Sequence, residues 1–469
     1  MEENKEKLIM HQEEEKPLFE FPALVKGCIL FASFLLGLSL LLLPWHFVLF
    51  IFIGLCSAVA VFFNIFIGLL LFLVIATLHP GKLISEAYGL YYLSRYLSFG
   101  VLFIWLFHTL VYRDFKVVKA RQNIALLGFA IVIFLSCVKD RGLLTLLEGG
   151  YTTEYLLDYI KLFILYFLII YLIKTRKQFM IFIWSLIILG TVSCFIGLYQ
   201  YANGIGMIEE GGSLRITGTA ADPNYYALHI IMLIPISISL LLNSRSILTK
   251  LFLSGFTILS LLNVLFTFSR GGMIGLAIVL SLSFVIMLLH NRNKIIPSLI
   301  VVLIVISAIP FIPEQYWSRA KTITNLEDVA VRARLDTWKI GYEMVQDHPV
   351  LGVGVGNFPY EYYYRAMTSR DTKTKARHVA HNTFIEVAAE SGIIALVFFI
   401  MLILWTMGDL RKSGAVFRKS GDNQLYYISQ ALIISLMGYI ACGVFLSQQY
   451  LFMFWIIVPL SIVIRRLET

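Results

Sequence analysis

Residues 179–201 have the sequence FMIFIWSLIILGTVSCFIGLYQY, which contains no Asp, Glu, Lys or Arg. A helix needs about 20 apolar residues to cross the hydrocarbon core of a bilayer, and this stretch meets that requirement. Similar stretches recur along the chain. They lie at 24–43, 46–60, 63–78, 95–111, 123–138, 155–173, 225–242, 248–268, 272–289, 295–312, 382–407, 425–446 and 450–464. The sequence therefore predicts an all-α polytopic membrane protein with about 14 (range 12–14) transmembrane helices.

The composition of the whole chain agrees with this prediction. Of its 469 residues, 59% are hydrophobic and 14% are charged, whereas about a quarter of the residues of a soluble domain are charged. A soluble enzyme is therefore excluded. The net charge of +9 comes from Lys and Arg scattered over short loops without a basic stripe, so no nucleic-acid partner is predicted. The five cysteines form no C-x-x-C pair, which argues against a disulfide framework or a zinc site.

The loops between the predicted spans alternate between basic loops and acidic or mixed ones. Cytoplasmic loops are enriched in Lys and Arg, so the basic loops mark the inner side. These loops lie at 113–121, 174–177, 245–250, 292–294, 411–419 and 465–466. The alternation requires an odd number of spans before residue 79, and we predict three there. It also places the long polar segment 313–380 on the extracytoplasmic face.

The predicted topology divides the chain into four parts. Residues 1–23 form a cytoplasmic N-terminal tail that lacks the positive region of a cleavable signal peptide. Residues 24–312 form a bundle of transmembrane helices, residues 313–380 a large extracytoplasmic loop, and residues 381–469 the C-terminal transmembrane helices. The interaction partners implied by this division include the membrane lipids.

The large loop contains a helix signal followed by glycines. Apolar residues recur at helical spacing at Leu335, Trp338, Tyr342 and Val345, and the sequence Asp347–Pro349 ends the pattern. We therefore expect an amphipathic helix on or near the membrane surface. Three alternating glycines follow at Gly352, Gly354 and Gly356, and these are typical of a tight turn that needs no ligand. Tyrosines cluster at 360–364, where an interfacial aromatic belt or stacking on sugar rings are both possible interpretations.

Two arginines lie at the outer ends of predicted spans. Arg215 precedes the span at 225–242, and Arg270 lies in the short connection between two spans. A guanidinium so close to hydrocarbon is costly unless it reaches the interface or pairs with an anion. Each arginine can be an ordinary interfacial residue that binds lipid head groups. The alternative is that the two planar cations together bind a pyrophosphate at the membrane surface.

A histidine lies where the large loop re-enters the membrane. Thr383 and Glu386 have the spacing of a capping box, which predicts a helix start near Thr383 with His381 just before it. The positive helix end disfavours a charged imidazole and keeps it available as a base, although a histidine in this position is commonly a capping or surface residue. Glu386 and Glu390 lie on one helix face, for which we predict an arginine partner. The candidate partners are Arg334 and Arg377.

The sequence lacks the motifs of two common kinds of site, one that binds ATP and one that binds a metal. The sequence contains no phosphate-binding loop of the G-x-x-x-x-G-K-[ST] type, so ATP-driven transport within this chain is not predicted. It contains no Asp-x-Asp motif, which commonly holds a divalent metal against a nucleotide-sugar diphosphate. We therefore predict neither a cofactor nor a bound metal.

The order of these motifs resembles that of the O-antigen ligase and O-antigen polymerase superfamily of bacterial membrane glycosyltransferases. The motifs are Gln200-Tyr201, Arg215-Ile-Thr-Gly218, Asp222-Pro-Asn224, Ser269-Arg-Gly-Gly272, Arg334-Leu-Asp-Thr-Trp338, His348–Asn357, His381-Asn-Thr-Phe384 and Glu390-Ser-Gly392. Each motif alone is weak, but together they surround one large extracytoplasmic loop. The predicted number of about 14 transmembrane helices differs from the twelve usually drawn for ligases. It slightly favours polymerases, in which fourteen is familiar.

The resemblance implies an inverting glycosyltransferase that needs neither metal nor nucleotide. The enzyme would lie in the bacterial inner (cytoplasmic) membrane with its active site on the extracytoplasmic face. The donor would be a glycan on an undecaprenyl pyrophosphate carrier, and the acceptor a hydroxyl of a glycan, a lipid core or a protein. His381 would be the catalytic base, while Arg215, Arg270 and, less directly, Arg334 would bind the pyrophosphate. The supporting residues would be Glu386, Glu390, Asn382 and Trp338.

Other functions fit the sequence less well. A secondary transporter or a flippase for a lipid-linked glycan usually needs ionisable residues within its spans, and the predicted spans are nearly free of them. A structural or sensory membrane component would need a larger cytoplasmic region than these loops provide. Within the transferase hypothesis, polymerase, ligase and protein O-glycosylation all remain open, as does the identity of the sugar.

Overall fold

The computed structural model describes residues 60–61, 63–78, 93–112, 118–139, 151–210, 213–290, 329–368 and 377–468. Apart from one two-stranded hairpin, the regular structure of these residues is helical. The elements are α1 (Ile65–Leu78), α2 (Leu93–Tyr112), α3 (Arg121–Lys139), α4 (Tyr151–Leu172), α5 (Arg176–Asn203), β1 (Ile208–Glu210), β2 (Ser213–Arg215), α6 (Pro223–Asn243), α7 (Ile247–Phe266), α8 (Arg270–His290), α9 (Val329–Asp347), α10 (Phe358–Thr368), α11 (Thr383–Ser420), α12 (Asn423–Gly443) and α13 (Phe452–Arg466). The strands β1 and β2 are antiparallel.

The described helices confirm an all-α, multi-pass membrane protein. Helices α3, α4, α5, α6, α7, α11 and α12 are long and apolar enough to cross a membrane, and α1, α2 and α8 contain shorter apolar stretches. The predicted spans from 63–78 to 272–289, and from 382–407 to 450–464, coincide with α1–α8 and α11–α13. The predicted spans at 24–43, 46–60 and 295–312 lie outside the described residues. The total of about 14 spans therefore stays a prediction.

Helix α6 lies at the centre of the bundle, with 83% of its apolar stretch buried. It packs against α12, α7 and α8. Small and hydroxylated residues allow this close approach. Ser435 of α12 donates a hydrogen bond to the Met232 carbonyl of α6 at 2.6 Å. The hydroxyl oxygen of Ser237 on α6 lies 3.1 Å from that of Thr257 on α7. Such contacts are typical of helices that associate in lipid, where apolar burial alone gives little driving force.

Basic residues gather at one end of the bundle. Asp409 is 2% exposed and accepts hydrogen bonds from Arg121 at 2.9 Å, from Arg465 at 3.2 Å and from Gln122 at 2.8 Å. Arg466 donates to backbone carbonyls at the end of α4. The start of α3, the ends of α4 and α13 and the last part of α11 therefore share one end, as the alternation of basic loops predicts.

The prediction that residues 411–419 form a loop is wrong, because these residues are helical. Helix α11 continues to Ser420 and ends at Gly421 in the left-handed conformation, with φ 79°. Arg418 and Lys419 lie in its last turn, where positive charge is favourable next to the free carbonyl groups. The apolar pattern ends near residue 407, but the helix extends beyond it as a polar segment.

Helix α11 is broken at Gly392, where φ is 85° and ψ is 170°. The polar backbone groups at the break are paired with the segment that follows α9. Val353 donates to the Ala389 carbonyl at 2.8 Å, and Gly354 donates to the Glu390 carbonyl at 2.9 Å. On the other side of the break, the Ile393 N–H donates to the Pro349 carbonyl at 2.8 Å. The predicted span 382–407 is therefore two helical segments, and residues 349–354 pack against the break between them.

The glycines before α10 form the predicted turn. Gly352, Gly354 and Gly356 have φ values of 66°, 97° and 74°. A Cβ on Gly352 would lie 2.3 Å from the Glu390 carbonyl carbon, so the turn also needs a small residue in order to approach α11. Backbone conformation and close packing explain these glycines.

The Gly392→Ala substitution is expected to destabilise the protein by about 2 kcal/mol or more, because this backbone conformation is strained for any residue with a side chain. A Cβ at this position would also lie 2.0 Å from the Val350 carbonyl oxygen. The measurement is the thermal unfolding temperature of the detergent-purified protein. Gly408→Ala is the matched control, since Gly408 lies in the same helix with nothing within 4 Å of its added Cβ. Equal unfolding temperatures for the two variants would contradict this account of the break.

A helix is present where the amphipathic helix is predicted, as α9, which ends at Asp347; its place at the membrane surface stays a prediction. Its packed face differs from the predicted one. Ile340 and Met344 are buried in a small core with α10, whereas Leu335 is 47% and Tyr342 is 62% exposed. Of the predicted apolar stripe, Val345 packs against this core, whereas Leu335 and Trp338 line the cleft described below.

Candidate active site

Two of the predicted arginines line one cleft. Arg270, at the start of α8, and Arg334, on α9, meet across an open space of about 490 Å³. The other lining residues are Gly271, Ile274, Leu335, Trp338 and Phe445. The cleft therefore combines two permanent positive charges with an aromatic and aliphatic wall. Such a combination suits a ligand with an anionic group next to an apolar one.

The start of α8 presents Arg270 to the cleft. The Ser269 carbonyl accepts from the Met273 N–H at 2.9 Å, and its hydroxyl accepts from the Gly272 N–H at 3.1 Å, as in an N-terminal cap. Arg270 is therefore the first residue of the helix. The backbone N–H groups of a first helical turn favour an anion, so they add to the charge of the guanidinium.

Arg215 lies beside this cleft and is not among its lining residues. It is 4% exposed, and its Nε donates to the Thr267 carbonyl at 2.7 Å. Its Nη2 donates to Asn224 at 2.9 Å, and the Ser269 hydroxyl donates to the same Asn224 oxygen at 2.7 Å. Arg215 thus holds the turn that presents Arg270. Its predicted direct contact with pyrophosphate stays a prediction.

The two-stranded hairpin, which the sequence did not predict, positions Arg215 at the end of β2. Directly after this strand, the Ile216 N–H donates to the Phe266 carbonyl at 3.2 Å. Gln200 binds the following segment through its amide, which accepts from the Gly218 N–H at 2.8 Å and donates to the Gly218 carbonyl at 2.9 Å. The four predicted motifs that contain Gln200, Arg215, Asn224 and Ser269 therefore pack together around Arg215 and Arg270.

His381 lies in a strained turn directly before α11. Its φ is 49°, in the left-handed region that residues with side chains rarely adopt. Helix α11 begins at Thr383, as predicted, but the predicted capping box is wrong. The cap is Asn382, whose side chain accepts from the Phe384 and Ile385 N–H groups at 2.9 and 3.0 Å. The Thr383 hydroxyl instead donates to the Leu446 carbonyl at 2.6 Å.

The turn of His381 packs against the helix that contains Arg334. The Thr337 hydroxyl of α9 is 3.3 Å from the carbonyl oxygen of Ala380, the residue before His381. Thr337 lies between Arg334 and Trp338 in sequence, and both of these line the cleft. The turn that contains His381 therefore contacts α9 beside two residues that line the cleft.

A second set of contacts joins the same turn to the start of α8. Leu446 accepts a hydrogen bond from Thr383, and a Cβ on Gly271 would lie 3.1 Å from the Leu446 side chain. Gly271 follows Arg270 in α8. His381, Arg270 and Arg334 consequently lie around the C-terminal end of α12, at the end of the bundle opposite to Asp409.

The two carboxyl groups of the first segment of α11 are buried, with Glu386 at 6% and Glu390 at 3% exposure. The Glu386 carboxyl accepts from the Ser447 hydroxyl and, at 3.1 Å, from Gln449 Nε2. The Glu390 carboxyl accepts from the Phe358 N–H at 3.3 Å, at the start of α10. Each carboxyl therefore ties α11 to a different neighbouring segment.

The predicted arginine partner is not among the described contacts of these carboxyls. The guanidinium carbon of Arg377 instead lies 4.2 Å from the ring centroid of Tyr360. Arg334 faces the cleft together with Arg270. The spacing of the two glutamates correctly indicated a shared helix face. Their carboxyl groups accept hydrogen bonds from neutral hydroxyl, amide and peptide groups.

Sequence reasoning missed two features of this region. The first is the polar segment Ser447–Gln449, which interrupts the apolar C-terminal sequence and binds α11. The second is His378, whose ring meets that of Tyr362 edge-on with centroids 5.6 Å apart. Burial lowers the pKa of His378, so its imidazole favours the neutral form near neutral pH. A polar tripeptide between two predicted spans was the available signal for the first feature.

Comparison with known protein families adds an independent observation. Residues 255–400 match the model of the O-antigen ligase family. The matched region contains Arg270, Arg334, Trp338 and His381 and ends within α11. The resemblance predicted from the motifs is thus confirmed for this region, and the O-antigen ligase-type region lies within a multi-pass membrane protein. A comparison with curated proteins finds no match.

Proposed function

We propose that this protein is a membrane glycosyltransferase that moves a glycan from an undecaprenyl pyrophosphate carrier to an acceptor hydroxyl, as a surface polysaccharide polymerase or ligase. The observation that supports it most is the placement of two arginines in one cleft beside the turn of His381. All three residues lie in the region that matches the O-antigen ligase family.

The donor half of the reaction needs positive charge. When the bond between the anomeric carbon and the pyrophosphate oxygen breaks, negative charge grows on the leaving oxygen. Arg270 and Arg334 supply two planar cations that stay protonated throughout, and each can bind phosphate oxygens with two hydrogen bonds. Groups that are already placed where charge develops stabilise the transition state most. In this proposal Arg215 contributes by fixing the turn before Arg270, and its own contact with phosphate remains the sequence-based prediction.

The acceptor half needs a base. His381 takes the proton of the acceptor hydroxyl while that oxygen forms its bond to the anomeric carbon, and the pyrophosphate leaves from the opposite side of the sugar. This order inverts the configuration at the anomeric carbon. The imidazole gains one proton and the carrier leaves as a pyrophosphate anion, so the step is balanced without metal or nucleotide.

Trp338 and the apolar cleft wall are placed to contact the uncharged parts of the donor. The ring of Trp338 lies with its centroid 6.4 Å from that of Phe445. An aromatic face of this kind packs against sugar rings or isoprenoid chains through apolar contact. Asn382 supports the site by starting α11 immediately after the histidine.

Transfer by the purified protein tests the proposed function. The assay combines a lipid-pyrophosphate glycan with defined acceptors and analyses the products. Longer carrier-linked glycans indicate a polymerase, whereas transfer to a lipid core or a protein indicates a ligase or a protein O-glycosyltransferase. Transfer of no sugar to any acceptor would contradict the proposal. Movement of the donor across protein-containing liposomes without a new glycosidic bond would indicate the alternative, a flippase or secondary transporter.

We further propose that the four sequence segments 1–23, 24–312, 313–380 and 381–469 are arranged with the cleft on the extracytoplasmic face of the bacterial inner membrane. Tyr364 of α10 is 67% exposed on the side of the site, and Lys419 is exposed at the opposite end. In intact spheroplasts, Tyr364→Cys is expected to react with a membrane-impermeant maleimide, and Lys419→Cys is expected to react only after lysis. The opposite labelling pattern would contradict the proposed orientation.

A further inference from the structure

The segment around His381 is in contact with α11 on one side and with α9 on the other. The carbonyl of Asn382 accepts from the Glu386 N–H at 3.0 Å, and the carbonyl of Ala380 lies 3.3 Å from the Thr337 hydroxyl. Residues 380–382 are called the histidine turn below. A residue with φ of 49° at position 381 costs about 1–2 kcal/mol, so the conformation persists only because its neighbours fix it.

Glu386 also binds the segment Ser447–Gln449, which is itself firmly held. The Gln449 carbonyl accepts from the Trp455 indole at 2.9 Å, and the Gln448 carbonyl accepts from the Tyr439 hydroxyl at 3.1 Å. Trp455 and Tyr439 are both fully buried in the bundle core. Glu386 therefore connects the histidine turn to the rigid centre of the protein through hydrogen bonds.

We propose that Glu386 is a positioning residue that holds the imidazole of His381 in place for proton transfer: its carboxyl accepts hydrogen bonds from Ser447 and Gln449, while its backbone N–H donates to the carbonyl of Asn382 in the histidine turn. The proposal rests on the proposed transferase function. A buried carboxyl is costly unless its oxygens are satisfied, and the Ser447 hydroxyl and the Gln449 amide each donate to one oxygen of this carboxyl. Proton transfer requires precise geometry, so loosening the turn lowers the rate and leaves donor binding in the cleft intact.

Glu386→Gln is the most direct variant because it keeps the shape of the side chain. A glutamine has one acceptor oxygen in place of two, and its NH2 group would face either Ser447 or Gln449, so that partner must turn round to accept or its hydrogen bond is lost. We expect kcat to fall about 10- to 100-fold with the KM for the lipid-linked donor changed less than about twofold. The matched control is Glu361→Gln, which removes the charge of a partly exposed carboxyl paired with Arg365 and is expected to leave both constants unchanged.

A second readout does not depend on catalysis. Diethyl pyrocarbonate modifies neutral imidazoles, and mass spectrometry gives the modification rate of His381 alone. In the pH-independent range, this rate is expected to rise about fivefold or more in Glu386→Gln, because the turn opens more often. An unchanged modification rate would overturn the proposal. A wild-type protein without transferase activity would overturn the proposed function instead, and the modification rates would still report on the turn.

The Ser447→Ala variant covers the case in which Glu386→Gln does not fold. It removes one donor and leaves the carboxyl in place, so we expect a smaller fall in kcat and a smaller rise in the modification rate. If both variants fold, their effects on kcat should be less than additive, since they break the same connection. A lower unfolding temperature with kcat and modification rate unchanged would indicate a purely structural role and overturn the proposal.

Discussion

Replacing His381 with alanine is expected to lower kcat for glycan transfer by about 10²- to 10⁴-fold, the contribution typical of a general base. Donor binding should be retained, because the cationic groups lie on α8 and α9 and not in the histidine turn. The measurement is the steady-state rate of product formation with purified protein, together with the affinity for the lipid-linked donor.

The control for this substitution is His348→Ala. His348 follows α9, and its Nδ1 lies 3.3 Å from the Lys139 ammonium, away from the cleft lining. Its replacement should leave kcat within about threefold of the wild-type value, since surface substitutions rarely have large effects. A rate for His381→Ala as high as that of the control would show that the imidazole is not the base.

Replacing Arg270 with alanine is expected to lower kcat/KM by about 10²- to 10³-fold, because the leaving group loses a preorganised cation. Arg270→Lys should recover only part of this loss, since an ammonium group lacks the planar fork that binds two phosphate oxygens. Arg334→Ala is expected to have an effect of the same kind. If both arginines bind one pyrophosphate, the double variant should lose less than the product of the single losses.

Arg332→Ala is the control for the loss of positive charge on α9. Arg332 is exposed, lies two residues before Arg334 and is not part of the cleft lining. The rate of Arg332→Ala should therefore equal that of the wild type at moderate salt. Equal losses for Arg332→Ala and Arg334→Ala would indicate general attraction of an anionic substrate and would contradict a specific pyrophosphate site.

Hydropathy predicted the helices of this protein well because a helix that crosses the bilayer must be apolar over about 20 residues. Apolar stretches of this length, such as 179–201, can be recognised directly in the sequence. The break at Gly392 was not predicted from the same signal, because residues 382–407 as a whole are apolar enough for one span despite the sequence Glu390-Ser-Gly392. The break depends on the N–H groups of Val353 and Gly354, which come from a distant segment.

The residues of the site were predicted more fully than their contacts. Arg270, Arg334 and His381 were identified by their positions at span ends and by motif order, and the structure brings their segments together. Glu386 and Glu390 were expected to pair with an arginine, since like charges at this spacing repel. Their neutral donors lie in segments such as Ser447–Gln449, far away in sequence, and spacing within one helix contains no information about them.

The contacts of Arg215 were not predictable from its residue type. Its charge and its place at a span end suggest a phosphate ligand, which stays a prediction, and the structure adds that its guanidinium donates to Thr267 and Asn224. The hairpin brings the guanidinium to these two groups. Three-residue strands such as β1 and β2 leave little trace in a hydropathy pattern.

The proposed pyrophosphate site beside His381 is tested most directly by a cryo-electron microscopy structure of the purified protein with a non-transferable undecaprenyl-pyrophosphate glycan. We predict that both phosphates lie between Arg270 and Arg334 and that the sugar extends toward the imidazole of His381. A pyrophosphate bound at the opposite end of the bundle, near Asp409, or a sugar directed away from His381, would contradict it.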